Sequence, residues 1–557
     1  MQKKIILSML TLLISGNSYA LAAPTNTQYD QYQTAKRQEE EQQERINAPS
    51  VQLQTKAKSD GIVTLPKEPF RFKINNFVLE GNKDGKFNWL KSELATYKGR
   101  LIGAKGIDAL AKMLSEKITA RGYITTKITV PAQDVKKGTV IFTVIPGRVE
   151  AIRFAKENQY GSWRTVFPNA PGDILNVRDI EQGLEQMKRV PNQDVNVKLT
   201  PGKEQGQSII VLDVKRTKPW SMGISFDDSG LENTGRLQAT GNLALYNPTG
   251  LNDILSFSYT KDAEHEDSKK GTKNYSLSYS LPLGNYTLNI NKYYNEFYQQ
   301  VPTLVPFESR GKNTTYDFGL QRVLHRDNLR KTQGSFKIIK RRKESFVDGE
   351  ELRIQRLNTT AYQLGLMHRQ YVGKGVFDGM VYFQKGMPWF GAEPGIEGLA
   401  EGVSTTRYDL WGLNLYYGTP IKLGNIDASY SCTFRGQYTN NVLYGADQFS
   451  IGGRYSVRGF SGENSLSAEN GYVLRNELSF PLKKLNMEPY FGLDYGYVFG
   501  SSDEYNLGNK LVGSVIGVRG KVATQISYDS FLGMPLYYPD GFKADQTVLG
   551  FNLYWQW

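Results

Sequence analysis

The sequence predicts a mainly β protein: an antiparallel transmembrane barrel of about 16 strands, preceded by two small α/β modules. Three observations carry that reading. The chain holds 34 Tyr, 26 Phe and 7 Trp among 557 residues, yet its mean hydropathy is −0.47. From Trp220 to Trp557 the apolar residues alternate with polar ones over short runs, as in "DILSFSYT", "YTLNINKYY" and "EPYFGLDYGYVFG". Such alternation marks strands with one wet face and one lipid-facing face. The chain also begins as an exported protein does. "MQKKIILSMLTLLISGNSYALAAP" has a basic start, an apolar core and small residues at cleavage spacing, which reads as a signal peptide over 1–22. No later stretch reaches 18 consecutive apolar residues, so a membrane-embedded form has to be a closed barrel.

Residues 23–46 follow the leader. From Gln31 to Ile46 there is no Gly or Pro, and Glu, Gln, Lys and Arg dominate. These are good helix formers, but no apolar stripe is present to dock such a helix on a core. Residues 47–68 read as a linker.

Residues 69–147 form the first module, in the order β-α-α-β-β. "FRFKINNFVLEG" is a strand and a short helix lies near Trp89–Tyr97. A second helix over Ala104–Ala120 sets Ile107, Leu110, Ala111, Leu114 and Ile118 on one face. "GYITTKITVP" and "GTVIFTVIPG" close the module as strands. Residues 148–217 repeat the order: a strand at "RVEAIRFAKE", a helical region opening at "WRTVFP", the helix "NVRDIEQGLEQMKRV", then two strands. Two tandem units of similar length suggest an internal duplication.

Residues 218–557 form the barrel. At about 21 residues per strand and connection, this length accommodates about 16 strands of ~9–11 membrane residues. "SLPLGNY", "YGTPIKLGN" and "SFPLKKLN" are compact turns with Pro at a strand end, and longer polar stretches lie between them. The last segment, "TVLGFNLYWQW", sends Leu549, Phe551, Leu553, Trp555 and Trp557 outward.

Composition excludes several chemistries. A single Cys, Cys432, allows no intrachain disulfide and no thiolate cluster. Three histidines, His265, His325 and His368, are scattered. No GxSxG or GxxxxGK[ST] motif occurs. No enzyme activity, cofactor or metal is expected. The formal charge of +13 is spread along the chain, so it reads as a solvated surface or polar lumen rather than a nucleic-acid site.

Several stretches resemble the TpsB transporters of two-partner (type V) secretion. "GYITTKITVPAQDVKKGTVIFTVIPGRV" (122–149) and "LNVRDIEQGLEQMKRVPNQDVNVKLTPG" (175–202) look like parts of that family's two polypeptide-transport-associated (POTRA) domains. "DDSGLENTGRLQATGNLALYNPTGLND" (227–253) is similar to its first barrel hairpin, and "SVRGF" to its loop-six motif. The resemblance implies POTRA domains at 69–147 and 148–217, a lumen plug helix within 23–46 and a loop six, at about 443–472, folded into the barrel. It also implies an outer-membrane location in a Gram-negative bacterium, with the POTRA domains in the periplasm.

The implied site residues follow. Val457, Arg458, Gly459 and Phe460 form the loop-six motif, and Asp494 with Gly496 forms the facing wall motif. An Arg–carboxylate fork there is expected to contribute ~1–3 kcal/mol in a wet lumen. Gln31, Tyr32, Lys36, Arg37, Glu40 and Glu44 belong to the plug. Phe460 replaces a commoner Tyr, while Tyr490 and Gly492 stand where some relatives carry Phe and an acid. The implied function is export, without ATP, of a large TpsA-type partner such as an adhesin, a haemolysin or a contact-dependent inhibition toxin. Expected partners are that protein and outer-membrane lipid, not nucleic acid, and a monomer is expected. A barrel-assembly factor and a passive porin remain alternatives from the sequence.

Overall fold

The computed structural model describes residues 26–53, 63–156, 160–191, 193–264, 269–301, 305–395 and 402–557. The expected signal peptide, most of the expected linker and His265 lie outside the described residues.

The barrel is closed and antiparallel throughout. Sixteen long strands run from Trp220–Asp227 to Val548–Gln556, with one two-residue stub, Glu350–Glu351. The last strand pairs with the first, from Asn552↔Asp227 to Gln556↔Gly223, so no edge is left to solvate in lipid. The first strand illustrates the alternation. Trp220, Met222, Ile224 and Phe226 are exposed on the outer wall, while Ser221, Gly223, Ser225 and Asp227 line the lumen. The strands are not of equal height. The sixth, Phe307–Arg326, has 20 residues and the seventh, Arg330–Val347, has 18. That exceeds the ~9–11 a bilayer requires; both run on past the membrane, where polar side chains meet water.

Two of the compact turns are two-residue Gly-Asn links. Leu283 pairs with Tyr286, and Leu423 with Ile426. Gly284 and Gly424 both sit at φ +61°, the first position of a turn whose twist matches a hairpin. Pro282 and Pro420 lie within the paired strands rather than beyond their ends.

Both α/β modules share one sheet topology. In each, the first strand pairs in parallel with the last, which pairs antiparallel with the middle one. The strands are Asn76–Glu80, Lys127–Thr129 and Thr139–Ile145 in the first module, and Arg148–Phe154, Gln193–Pro201 and Gln207–Arg216 in the second. Among the described residues the α-helices are α1 (Asn26–Asn47), α2 (Leu90–Ala95), α3 (Ala104–Ala120) and α4 (Val177–Lys188). Leu110, Leu114 and Ile118 of α3 pack with Ile74, Val140 and Phe142. Ile180, Leu184 and Met187 of α4 pack with Ile152, Ile210 and Leu212.

The modules depart from expectation in three places. "FRFKINNFVLEG" breaks at Asn75 into Phe72–Ile74 and Asn76–Glu80, and the first piece pairs with a short strand, Arg100–Ile102, that no alternation signals. The strand in "GYITTKITVP" shrinks to Lys127–Thr129. "WRTVFP" opens no helix; residues 161–170 are turns and bends. Pro168 and Pro171 cannot supply helix N–H donors there, and Phe167 instead fills the space over Gly183 of α4.

The second module sits beneath the compact turns. Gly284 N–H donates to Thr165 O at 2.7 Å, and Gln182 Nε2 donates to Gly284 O at 3.3 Å. The modules therefore mark one end of the barrel and the long loops the other. α1 lies inside the lumen, its first residues near the long-loop end and its last near the modules.

Candidate functional site: a plugged lumen

The longest loop, 440–469, joins the eleventh strand (Ile426–Thr439) to the twelfth (Asn470–Ser479). It is displaced by three residues from the expected 443–472, because pairing resumes at Asn470. The loop folds inward on an apolar anchor. Phe449, Ile451, Val457, Phe460, Leu466 and Ala468 bury themselves against Val473, Val498, Leu511 and Phe542. Phe460 meets Phe542 and Tyr538 edge-on, with centroids 5.9 and 6.5 Å apart, so its pocket is aromatic.

Beside this anchor lies the ion pair. Arg458 Nε donates to Asp494 Oδ2 at 2.8 Å and Nη2 to Oδ1 at 2.9 Å, while the Arg458 backbone N–H donates to Oδ2 at 2.9 Å. The Asp494 side chain is 0 % exposed. Gly459 has φ +110°, and a Cβ there would stand 2.6 Å from Met534 O. A Cβ on Gly496 would stand 2.6 Å from the Val457 side chain. The expected motif residues thus occupy one pocket. The energetics differ from the wet-lumen expectation. Removing one partner of a buried, hydrogen-bonded pair costs about 3–5 kcal/mol, because the other charge is left unsolvated.

A second carboxylate escaped the sequence reading. Glu477, on the twelfth strand, accepts from Arg458 Nη1 at 2.5 Å and from Arg519 Nη1 at 2.8 Å. It faces Gly492 directly across the strand pair. A Cβ at Gly492 would stand 2.5 Å from Arg458 Nη2. The acid missing from position 492 is therefore supplied by the neighbouring strand, and the glycine makes room for the guanidinium. Its only sequence signal is "VLRNELS", where Arg475 and Glu477 share an inward face.

Arg475 links the loop site to the plug. Its Nε lies 3.8 Å from Asp494 Oδ2 and its Nη1 3.2 Å from Glu39 Oε2 of α1. The expected plug residues divide into two sets. Gln31 Nε2 donates to Gly445 O at 2.6 Å, and Tyr32 Oη to Ser229 O at 2.6 Å. The Lys36 ammonium sits 6.0 Å from the Tyr455 ring centre, and the Arg37 guanidinium 5.1 Å from that of Tyr293. Glu40 and Glu44 face the remaining cavity, of about 1690 Å³.

The firmest anchors of α1 were not singled out. Tyr29 is 1 % exposed, packs on Phe297 at 4.8 Å and donates to Asn274 Oδ1 at 3.0 Å. Asn26 bonds Ser345 Oγ at 2.8 Å, and Arg45 pairs with Asp378 at 2.6 Å. Two tyrosines within "TQYDQYQT" make no stripe, so the sequence carries only a faint trace of this docking face.

The chain after α1 is pinned at the module end. Arg326, at the end of the sixth strand, donates to Val51 O at 2.6 Å, Glu185 Oε2 at 2.8 Å and Gln182 Oε1 at 3.1 Å. The Leu53 N–H donates to Glu181 Oε1 at 2.6 Å. Lys331 also pairs with Glu185. Burial pushes the Glu185 carboxyl up, but Lys331 and Arg326 outweigh it and hold it below the ordinary carboxylate range.

Comparison with known proteins places this architecture. Residues 206–520 match the family "Haemolysin secretion/activation protein ShlB/FhaC/HecB", residues 72–147 the "POTRA domain, ShlB-type", and residues 148–201 the "POTRA domain". Outer membrane transporter CdiB-2 of Burkholderia pseudomallei is 37% identical over 96% of this chain and 95% of its own. Hemolysin transporter protein ShlB of Serratia marcescens is 28% identical over 73% and 72%. The structure of CdiB from Escherichia coli superposes with a TM-score of 0.86 at 26% identity, covering 97% of this chain and 100% of that one. CdiB from Acinetobacter baumannii gives 0.83 at 29%, with the same coverage. The chain belongs to the haemolysin secretion/activation protein family, ShlB/FhaC/HecB, the outer-membrane transporters of two-partner secretion.

Proposed function

We propose that this transporter exports one large secreted partner protein as an extended chain through its lumen, and that α1 leaves to open the path. One observation carries the reading. The lumen of a closed 16-strand barrel is occupied along its axis by a single helix, held mostly through polar contacts. A helix with its side chains fills a cylinder ~10–12 Å across. Its departure leaves a polar bore wide enough for an extended polypeptide but not for a folded domain.

The second POTRA domain offers the partner a landing place. Among the described residues Gln193–Pro201 is an edge strand of nine residues with one ladder unpaired, the geometry to which an extended segment adds by backbone hydrogen bonds. The partner is a large secreted protein, an adhesin, a haemolysin or a contact-dependent inhibition toxin; the printed name of the Serratia relative supports the haemolysin class.

The pinned linker sets a condition on opening. α1 has 22 residues, about 33 Å of helix. With Val51 held by Arg326, the chain from Asn47 reaches about 14 Å at most, too little for α1 to clear the lumen. With the pin released, the next described anchor is the Val63 N–H on Tyr97 Oη, and the reach rises to about 55 Å. Export therefore requires the seam between the second POTRA domain and the barrel to loosen.

Planar-bilayer conductance and a secretion assay test this together. Deleting 26–47 is expected to raise conductance severalfold. A staple closing the linker onto the second POTRA domain (Leu53→Cys with Glu181→Cys, in a Cys432→Ser background) is expected to block export until reduced. Undiminished export by the oxidised staple overturns the reading.

A further inference from the structure

The outer wall of the barrel concentrates its basic residues on one side; elsewhere its long-loop rim carries Lys385, paired with Asp409, and Lys510, opposite Tyr497. On the thirteenth strand (Met487–Phe499) the lipid-facing positions read Phe491, Leu493, Tyr495, Tyr497 and Phe499, with no basic residue. On the third to seventh strands the same face carries Lys261, Lys273, Lys292, Arg310, Lys312, Lys340 and Arg342. The face is set by alternation with the exposed Tyr259, Leu277, Ile290, Tyr316 and Phe318. Lys292, Tyr316 and Lys340 share one rung of the ladder. Lys273, Glu296, Lys312 and Glu344 share another, nearer the long loops.

Two features set these cations apart from ordinary surface lysines. Lys261 stands directly opposite Lys273, a like-charge pair that destabilises a sheet unless an anion neutralises it. Among the described residues no carboxylate lies within ion-pair distance of Lys261, Lys273, Lys292 or Lys312. Glu296, opposite Lys273 and Lys312 in the ladder, is engaged by Tyr294 Oη at 2.7 Å and lies 3.9 Å from Arg310, which also pairs with Glu308 at 3.1 Å. Both lysines of the pair, with Arg310, Tyr259, Tyr298 and the carboxylates of Asp262 and Glu296, line an outer cleft of about 220 Å³ in which cations outnumber acids. Below it the wall turns apolar, through Leu277, Ile290 and Phe318.

We propose that this wall is a docking surface for the phosphate-bearing glycolipid of the outer leaflet. Phosphates sit among Lys261, Lys273 and Arg310, and acyl chains lie on the apolar rungs beneath. The aromatic rings fit the interface: Lys292 lies over Tyr275 and Tyr316, at 5.4 and 5.7 Å, and Lys312 over Phe346 at 4.9 Å. These cations are held at the wall instead of reaching away from it. Charge complementarity decides the occupant. The outward face of these strands carries seven basic residues against Glu296, Glu308 and Glu344, an excess that a phosphate complements and a zwitterionic headgroup does not.

Native mass spectrometry of the full chain in detergent micelles, with bisphosphorylated lipid A as probe, tests this. The wild type is expected to retain lipid A, and monophosphorylated lipid A more weakly. The triple variant Lys261→Gln/Lys273→Gln/Lys312→Gln is expected to retain it roughly 10- to 100-fold less, in line with the attraction of each basic residue to an anionic membrane surface. Heat-modifiable mobility checks that this barrel is folded; if it is not, Arg310→Gln/Arg342→Gln serves instead, with at least a severalfold loss expected. The module-side variant Lys422→Gln/Lys521→Gln is expected to bind like the wild type. Equal retention by the wall variants overturns the proposal. So does displacement of lipid A by millimolar inorganic phosphate, which would make the site one for a free anion.

Discussion

Two bodies fill this lumen, and they are held by different physics. The long loop is anchored by an apolar cluster and by a guanidinium whose main partner, Asp494, has no solvent exposure. α1 is held by hydrogen bonds and ion pairs spread along its length, buried at Asn26 and Asp378 and wetter at Glu39, with Tyr29 as its one fully buried aromatic. A buried charge pair that also has an apolar cluster around it is costly to break, whereas polar contacts without such a cluster each contribute less. The difference separates a loop fixed by an apolar cluster from a helix fixed by polar contacts, as the proposed departure of the helix requires. Arg475 lies between the two, 3.2 Å from Glu39 and 3.8 Å from Asp494.

The comparison can be broken most severely at the loop. Arg458→Ala is expected to destabilise the anchored loop by about 3–5 kcal/mol, abolishing secretion while the barrel still inserts. Partner in the medium and transporter in outer-membrane fractions measure the two. Exchanging charges with Arg458→Asp and Asp494→Arg is expected to recover little, because Glu477 remains beside the new carboxylate. Adding Glu477→Gln to the exchange is expected to improve recovery.

At the plug, Tyr29→Ala is expected to remove about 1.5–3 kcal/mol of burial. That raises the open fraction in planar bilayers about 10- to 100-fold, with partner export retained. A smaller effect is expected at the linker pin. Glu185 titrates below its ordinary range, so its contribution is complete above that range and fades as pH falls through the lowered value. The open fraction of the wild type is expected to rise as pH drops toward about 4, and Glu185→Gln is expected to flatten that rise. The smallest effect belongs to Glu40→Gln and Glu44→Gln. These cavity-facing residues are expected to shift plug stability by no more than ~0.5 kcal/mol, and a conductance change as large as that of Tyr29→Ala would mean that the plug is held from its wet face.

What could be read in advance follows from range. Ala104–Ala120 shows its apolar face within five turns of chain, and α3 forms there. "WRTVFP" offers aromatic residues but also leads into Pro168 and Pro171, and the local pattern misleads. Arg458 and Asp494 could be paired only through a family resemblance, since 36 residues separate them and neither local stretch implies the other. Glu477 was overlooked because a charged residue on an alternating strand states its face but not its partner.

The lone sequence determined the barrel, the two α/β modules and a polar helix with nothing apolar to dock on, because period-2 and period-3.6 patterns are written in neighbouring residues. Only the closed tertiary structure decided which carboxylates grip Arg458, that Tyr29 anchors the plug and that Arg326 tethers the linker. Each of those contacts joins distant strands, and register across a closed sheet, not local propensity, determines who faces whom.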